Sequence, residues 1–334
     1  MRRLASIPGV CILALVLVAT APVWLVVALL IDLVTAPRRR PRVRLLAFAT
    51  WWAWLEVCGI VASGALFLAG RARAARPNYR LQKWWANGLV VGLRLTCALH
   101  LEPRHAERLA PGPVVVLPRH ASLADALLSA WLVTRAGLEP RYVLKRELRL
   151  DPCLDLVGHR VPNHFLDRTA TDSSGELAAL RDLAETVRAP DECIVIFPEG
   201  TRANPAKRAR GLARLAERSP DRAARLAGLR HCNPPRPAGT LAVLDGAPDA
   251  DVVFVAHAGF EGLDTFRGIL AAIPPPAPVL LDCRRVDRSD VPDGVSARTD
   301  WLDREWLAVD AAVDTLLAER ATMTTHRRPG ADRR

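Results

Sequence analysis

From Gly9 to Ala36 the chain is almost wholly apolar, with Asp32 its only charge. A run of 28 residues exceeds the roughly 20 that cross a bilayer core as a helix. It is also too long for an ordinary secretory h-region, and no small-x-small cleavage site precedes a polar start. The segment therefore predicts an uncleaved membrane helix. "RRRPRVR" (Arg38–Arg44) follows, and then a second apolar stretch, Leu45–Gly70, that holds Glu56 and Trp51, Trp52 and Trp54. If both stretches crossed, either this arginine loop or the Arg71, Arg73 and Arg76 flank would lie on the outer side, against the positive-inside bias. We expect a single crossing by the first stretch. The second would lie in the interface, where tryptophan is favoured and Glu56 reaches water. In both arrangements the body of the protein faces the cytoplasm.

At 334 residues the chain can form one large domain and an appendage. The formal charge is +11 and nearly all of it is arginine, since Lys83, Lys145 and Lys207 are the only lysines. A basic chain can meet nucleic acid, anionic lipid or phosphorylated substrates. Here the arginines are spread along the chain and flank apolar segments, with no nucleic-acid reading motif, so nucleic acid is excluded as the expected partner. Seven scattered cysteines without a C-x-x-C predict neither a disulfide framework nor a zinc site, and no metal is expected.

Residues 76–101 mix cations, tryptophans and apolar residues, predicting a helix that runs into a strand near Leu95–Leu101. Beyond them short β-branched runs alternate with helical ones, which predicts an α/β body with a mixed central sheet flanked by helices. Strands are expected at Val114–Leu117, Tyr142–Leu144, Ile194–Phe197, Val252–Ala256 and Val279–Asp282. Helices are expected at Ser122–Thr134, Glu176–Val187, Lys207–Glu217 and Trp301–Glu319. In the last, Leu302, Trp306, Val309, Val313 and Leu316 recur at helical spacing and should pack into the core. The Pro/Gly clusters at 233–239 and 274–278 read as loops.

Three short motifs follow strands. In "VVVLPRHASLADALLSAW", His120 precedes Ser122-x-x-Asp125 at the start of an apolar helix. The pattern is a capping box, with Ser122 as N-cap and Asp125 turned back on the helix end. It is also H-x4-D, an imidazole beside a carboxylate that can accept one ring N–H and leave the other nitrogen as a proton acceptor. The two readings are compatible. In "HFLDRT", Arg168 follows a short strand. In "CIVIFPEGTR" a buried strand empties onto Pro198-Glu199-Gly200-Thr201-Arg202. There the glycine permits a tight turn, Glu199 can orient an arginine or hold the loop, and Arg202 with Thr201 can grip phosphate oxygens.

H-x4-D, F-[L/I]-x-R and F-P-E-G-T-R, in that order, resemble the signature of the glycerophospholipid acyltransferases, the 1-acylglycerol-3-phosphate (lysophosphatidate) acyltransferases and their relatives. The resemblance covers roughly residues 95–320. "YVLKRELRLDPCLDLVG", Pro235-Arg236 with Gly239, and the stretch from Val286 to Asp310 are most similar to the branch with long-chain lysophosphatidate and lysocardiolipin acyltransferases. Two departures stand out: Arg119 occupies the position before the histidine where the family usually has Asn, and "VVFVAHAGF" (Val252–Phe260) lacks the usual proline.

The resemblance implies His120 as catalytic base with Asp125 as its partner. It implies Arg168, Glu199, Gly200, Thr201 and Arg202 as the acceptor-phosphate site. It implies an acyl group passed from acyl-CoA or acyl carrier protein, as co-substrate rather than cofactor, to the hydroxyl of 1-acylglycerol-3-phosphate or a related lysophospholipid. Membrane lipid is the expected surrounding. The implied organisation is a membrane anchor over 1–76, a catalytic domain over 77–321 and a disordered basic tail over 322–334. Other lipid acceptors, among them a glycolipid, and a non-catalytic adaptor for anionic membranes remain as alternatives.

Overall fold

The computed structural model describes residues 2–166, 173–263 and 265–326. The chain opens with α1 (Arg2–Ala19), α2 (Ala21–Thr35), α3 (Pro41–Leu68) and α4 (Ala75–Cys97). Next come β1 (Leu101–Arg104), β2 (Val114–Pro118), α5 (Asp125–Arg135), β3 (Glu139–Lys145), α6 (Pro152–Gly158) and β4 (His164–Leu166). It continues with α7 (Ser173–Glu185), β5 (Glu192–Val195), α8 (Pro205–Arg218), α9 (Pro220–Leu226) and α10 (Pro237–Gly246). Last are β6 (Asp251–Ala258), α11 (Phe266–Ala272), β7 (Val279–Val286) and α12 (Val295–His326).

These elements form two compact units. Of the described residues, the first unit comprises 2–100, 144–166 and 265–275, and the second the remainder. The division differs from the expected boundary at residue 76, because α4 packs along α3 and α6 joins them. Gly92 and Gly88 of α4 lie so close to Trp51 and Leu55 of α3 that a Cβ at either position would meet those side chains at 2.3 and 2.7 Å.

In the first unit the opening apolar run is not one helix. It breaks at Thr20, and α1 and α2 meet at 69°. Pro22, in the first turn of α2, has no N–H to give to the preceding turn, and its ring disfavours an unbroken helix. Asp32, the one acid of that run, is fully buried and accepts hydrogen bonds at 3.0 Å from Arg42 Nη1 and from Val43 N, tying α2 to the start of α3. Among the described residues α3 is the one unbroken helix long and apolar enough to cross a membrane. α1 and α2 pass the same test together only as a broken span. Glu56 does not reach water either: it is fully buried and accepts from Trp85 Nε1 at 2.6 Å and Cys153 N at 3.1 Å. A carboxylate can leave water only where such donors replace it.

The second unit is built on a mixed sheet. Its strands run β1-β7-β6-β2-β5-β3; β4 extends the order to seven beside β3, whose last residues Leu144 and Lys145 share the first unit with it. β2 lies parallel to both β5 and β6, β3 is parallel to β5, β1 is parallel to β7, and β6 and β7 are antiparallel. Every residue of β2 is buried, as a central strand of β-branched residues should be. Val115, Leu117, Ile194, Val252 and Phe254 face a core completed by α7, α10 and α12. Leu302, Trp306, Val309, Val313 and Leu316 of α12 are all buried there, as their spacing predicts. At Gly246 the end of α10 lies against the backbone of α7, where a Cβ would sit 2.3 Å from Arg181 O.

Three local expectations differ from the fold. Residues 95–97 remain helical, and the strand starts only at Leu101. The cluster at 233–239 turns into α10 at Pro237, where a proline's missing N–H costs nothing. The expected tail is helical through His326, with Thr324 and Thr325 hydroxyls bonded one turn back to the carbonyls of Arg320 and Ala321. Each added residue of a formed helix gains a hydrogen bond without a new nucleation cost. Residues 327–334 lie outside the described residues.

Candidate active site

The carboxyl ends of β2, β5 and β6 come together in the second unit, where open α/β sheets commonly place their sites. Ile196 N donates to Val116 O at 3.1 Å and Arg119 N to Val255 O at 3.0 Å, so the three strand ends enter the site in register. β2 delivers His120, β5 delivers Phe197 to Arg202, and β6 delivers His257.

Asp125 is the hub. It stands at the first turn of α5, 1% exposed, and its Oδ2 lies 3.0 Å from His120 Nδ1. The same carboxylate accepts from Ala121 N, from Ser122 N at 2.7 Å and from Ser122 Oγ at 2.7 Å. The capping box and the histidine pair are thus one structure. The serine hydroxyl also accepts from Ala124 N at 3.0 Å, so Ser122 caps from within the turn while the helix itself starts at Asp125. Burial alone would raise the Asp125 carboxyl; His257, His120 and the Ser122 N–H outweigh it and hold its pKa below the usual carboxylate value.

His120 is partly exposed, with its ring 4.7 Å from that of Phe197 at a tilt of 42°. With Nδ1 directed at Asp125, Nε2 makes no hydrogen bond among the described residues. Its backbone is gripped by the Pro198–Arg202 turn: His120 N donates to Glu199 Oε1 at 2.7 Å, and Ala203 N donates to His120 O at 2.6 Å. The two motifs, 79 residues apart in the chain, are hydrogen-bonded neighbours.

Glu199 is buried beneath this turn rather than open to a substrate. Its second oxygen accepts from Asn233 N at 2.7 Å, so of its two expected roles the loop-holding one matches its position. Burial pushes its carboxyl up to about 8, against the Asn233 and His120 N–H donors and Arg119, which pull it down. Gly200 has φ +64, and an added Cβ would stand 3.0 Å from Arg236 Cδ. Arg236 lies over the glycine and is held there by its own N–H on Pro198 O at 2.8 Å. Arg202 is half-buried, and its guanidinium makes no bond among the described residues. Lys207 Nζ lies 3.5 Å from Thr201 Oγ1 and 3.3 Å from Arg202 O. Arg168 lies outside the described residues.

Two residues were not singled out by spacing. His257 is 1% exposed, with Nε2 3.4 Å from Asp125 Oδ1 and 3.2 Å from Arg119 O. Burial lowers its pKa below the ordinary histidine value, in spite of Asp125; its Nε2 hydrogen bond goes to the Arg119 carbonyl, with Asp125 Oδ1 beside it. Arg119, where the family usually has Asn, is buried. Its Nη1 donates to His257 O at 2.7 Å and Glu261 Oε1 at 2.8 Å, pinning the loop after β6. A lone histidine inside a β-branched strand carries no motif; only the sheet order brings it to Asp125.

The Acyltransferase family model matches residues 100–226, which contain the His120–Asp125 pair and the Pro198–Arg202 turn. Among solved structures the chain is similar to the crystal structure of the 1-acyl-sn-glycerophosphate (LPA) acyltransferase PlsC from Thermotoga maritima. The two are 15% identical, the match covers 79% of this chain and 95% of that one, and the TM-score is 0.50. No curated relative matches the sequence. The acyltransferase family model thus matches the stretch of the chain that carries the site, and the chain shares the fold of that solved acyltransferase.

Proposed function

We propose that the protein transfers a fatty acyl group from a thioester donor, acyl-CoA or acyl carrier protein, to the free hydroxyl of 1-acylglycerol-3-phosphate or a related lysophospholipid at a membrane surface. The observation that carries this reading is the pairing of His120 Nδ1 with Asp125 at 3.0 Å, next to an anion-suited turn bonded to the same histidine's backbone. An alcohol is a weak nucleophile, and a positioned base typically accelerates its attack by about 10²–10⁴-fold. His120 Nε2 takes the hydroxyl proton as the oxygen attacks the thioester carbonyl. Asp125 steadies the imidazolium. The tetrahedral intermediate then collapses, the C–S bond breaks, and the thiolate leaves with the proton returned by His120. Products are the ester and the free thiol.

Arg202, with Thr201 beside it, clamps the acceptor phosphate, since a guanidinium fork matches its oxygens. The motif order adds Arg168 to this clamp. Glu199 and Gly200 hold and shape the turn. The membrane assignment draws on α3, whose length and composition suit a crossing, with the site on the cytoplasmic side.

The decisive assay uses membranes carrying the full chain, labelled acyl-CoA and a panel of lysolipids, with His120→Ala alongside. Wild type should acylate lysophosphatidate or a close lysophospholipid, and the variant should lose turnover while keeping its thermal transition. Acylation by His120→Ala at the wild-type rate would overturn the base assignment. Consumption of donor with a glycolipid alone would move the acceptor elsewhere in the lipid class.

A further inference from the structure

Arg236 has no part in the acyl-transfer steps above, yet its side chain lies on the turn that carries Thr201 and Arg202. The Cβ that Gly200 lacks would stand 3.0 Å from Arg236 Cδ, 3.3 Å from Nε and 3.5 Å from Cζ, so the guanidinium itself covers the glycine. Arg236 is exposed, and its guanidinium makes no hydrogen bond or ion pair among the described residues. The carboxylate of the turn does not serve it, because the two Glu199 oxygens are taken by the His120 and Asn233 N–H groups. Two guanidiniums without a carboxylate therefore stand on one turn, Arg202 at its end and Arg236 over its glycine. The N–H groups of Thr201 and Arg202 also make no hydrogen bond among the described residues. Free N–H groups next to a left-handed residue commonly face an anion.

The strap that bears Arg236 is fixed before any ligand arrives. Trp306 Nε1 donates to Asn233 O at 3.1 Å, and Asn233 Nδ2 donates to Thr201 O at 3.2 Å. Arg222, itself paired with Asp303, donates from Nη2 to Pro235 O at 2.8 Å. Arg236 sits between Pro235 and Pro237, with φ −95 and ψ 105, the extended backbone to which a following proline confines a residue. A cation held this way loses little freedom when it binds.

Resting on the acyl-transfer reading above, we infer that Arg236 is a second cation of the acceptor site and makes it selective for a phosphate monoester over a phosphodiester. A monoester has three terminal oxygens and a charge of about −1.5 to −2 at neutral pH. A diester has one terminal oxygen fewer and a single charge. The fork of Arg202 occupies two oxygens; only a monoester leaves a third for Arg236. The acceptor class is then a lysolipid whose head group is the bare phosphate. Acyl-CoA also carries phosphates, and a donor arm in the test separates the two.

The test places the full-length chain in neutral-lipid nanodiscs with acyl-CoA and two acceptors of one acyl chain, lysophosphatidate and the diester lysophosphatidylglycerol. Wild type should favour the monoester in kcat/KM. Arg236→Ala keeps the backbone bond to Pro198 and should raise the lysophosphatidate KM about tenfold or more, the worth of a charge-assisted hydrogen bond. The diester KM should rise about threefold at most, so the preference narrows. Arg236→Lys keeps the charge without the fork and should recover only part of the loss. In a His120→Ala background, calorimetric binding of lysophosphatidate should weaken by the same factor, which reads grip without turnover. Equal KM increases with both acceptors, an unchanged lysophosphatidate KM, or a rise confined to acyl-CoA would each overturn the assignment and leave acyl transfer standing. So would a loss of affinity for glycerol 3-phosphate alone, which would make Arg236 a site for a soluble phosphate. Wild type that turns over neither acceptor, yet binds lysophosphatidate through Arg236, would instead sink the acyl-transfer reading. Neither turnover nor binding would sink both.

Discussion

Nδ1 of His120 stands 3.0 Å from Oδ2 of Asp125, a carboxylate sealed from solvent and held by the N–H groups of the same turn. An ionised Asp125 can only accept, so the ring proton lies on Nδ1 and the lone pair on Nε2. Asp125→Asn turns an amide toward donors and destroys that arrangement. The variant should lose about 10²–10⁴ in kcat with acceptor KM little changed. Single-turnover kinetics check it, and a loss confined to KM would contradict the role.

His257 lies beside Asp125 on the β6 side, its Nε2 bonded to the Arg119 carbonyl. His257→Gln can keep an N–H for the Arg119 carbonyl beside the carboxylate; His257→Phe cannot, and should cost about fivefold more in rate than the glutamine variant, the worth of about one neutral hydrogen bond. The lowered folded pKa of His257 gives a sign. Its contribution to stability is present above its unfolded pKa of 6.5 and is lost as pH falls below it, because the unfolded chain takes up the proton first. Thermal unfolding at about pH 5.5 and 7.5 should therefore show a smaller gap in His257→Phe than in wild type.

Glu199 has the opposite sign. With a carboxyl raised from 4.5 to about 8, the folded protein holds a proton that the unfolded chain has released. The stabilisation is full below 4.5 and is lost as pH rises toward 8. Glu199→Gln should flatten this slope. It should also lower stability by about 1–3 kcal/mol, because the amide nitrogen cannot accept from the His120 or Asn233 N–H. A variant that kept the wild-type slope would show another group to be responsible.

Gly200→Ala tests the turn. Its positive φ costs a side chain about 1 kcal/mol, and the new Cβ meets Arg236 at 3.0 Å. The acceptor KM should rise several-fold with donor KM unchanged. Arg202→Ala should raise acceptor KM by about tenfold or more, the worth of a charge-assisted hydrogen bond. An unchanged acceptor KM in Arg202→Ala would remove that guanidinium from the clamp.

The parts that were readable in the chain are those set by neighbours a few residues apart. β-branched runs marked the strands around Val115, Ile194 and Val253. The spacing of Leu302, Trp306, Val309, Val313 and Leu316 marked α12. H-x4-D predicted the His120–Asp125 pair because one turn places both groups. The unreadable parts depend on distant partners. Asp32 and Glu56 read as polar marks in apolar segments, and their partners Arg42, Trp85 and Cys153 decide that both are buried. The bend at Thr20 needed more than hydropathy, which is high on both sides of Pro22.

The amino-acid order alone determined the strand-to-turn motifs and the imidazole–carboxylate pair, because hydrogen bonding and backbone stiffness over a few residues suffice for them. Only the tertiary structure decided that Glu199 reaches back to the His120 N–H, that His257 flanks Asp125, and that Arg119 anchors the β6 loop. These contacts join chain segments brought together by parallel strand pairing, and the balance of burial against hydrogen bonding that governs them exists only once the sheet has formed.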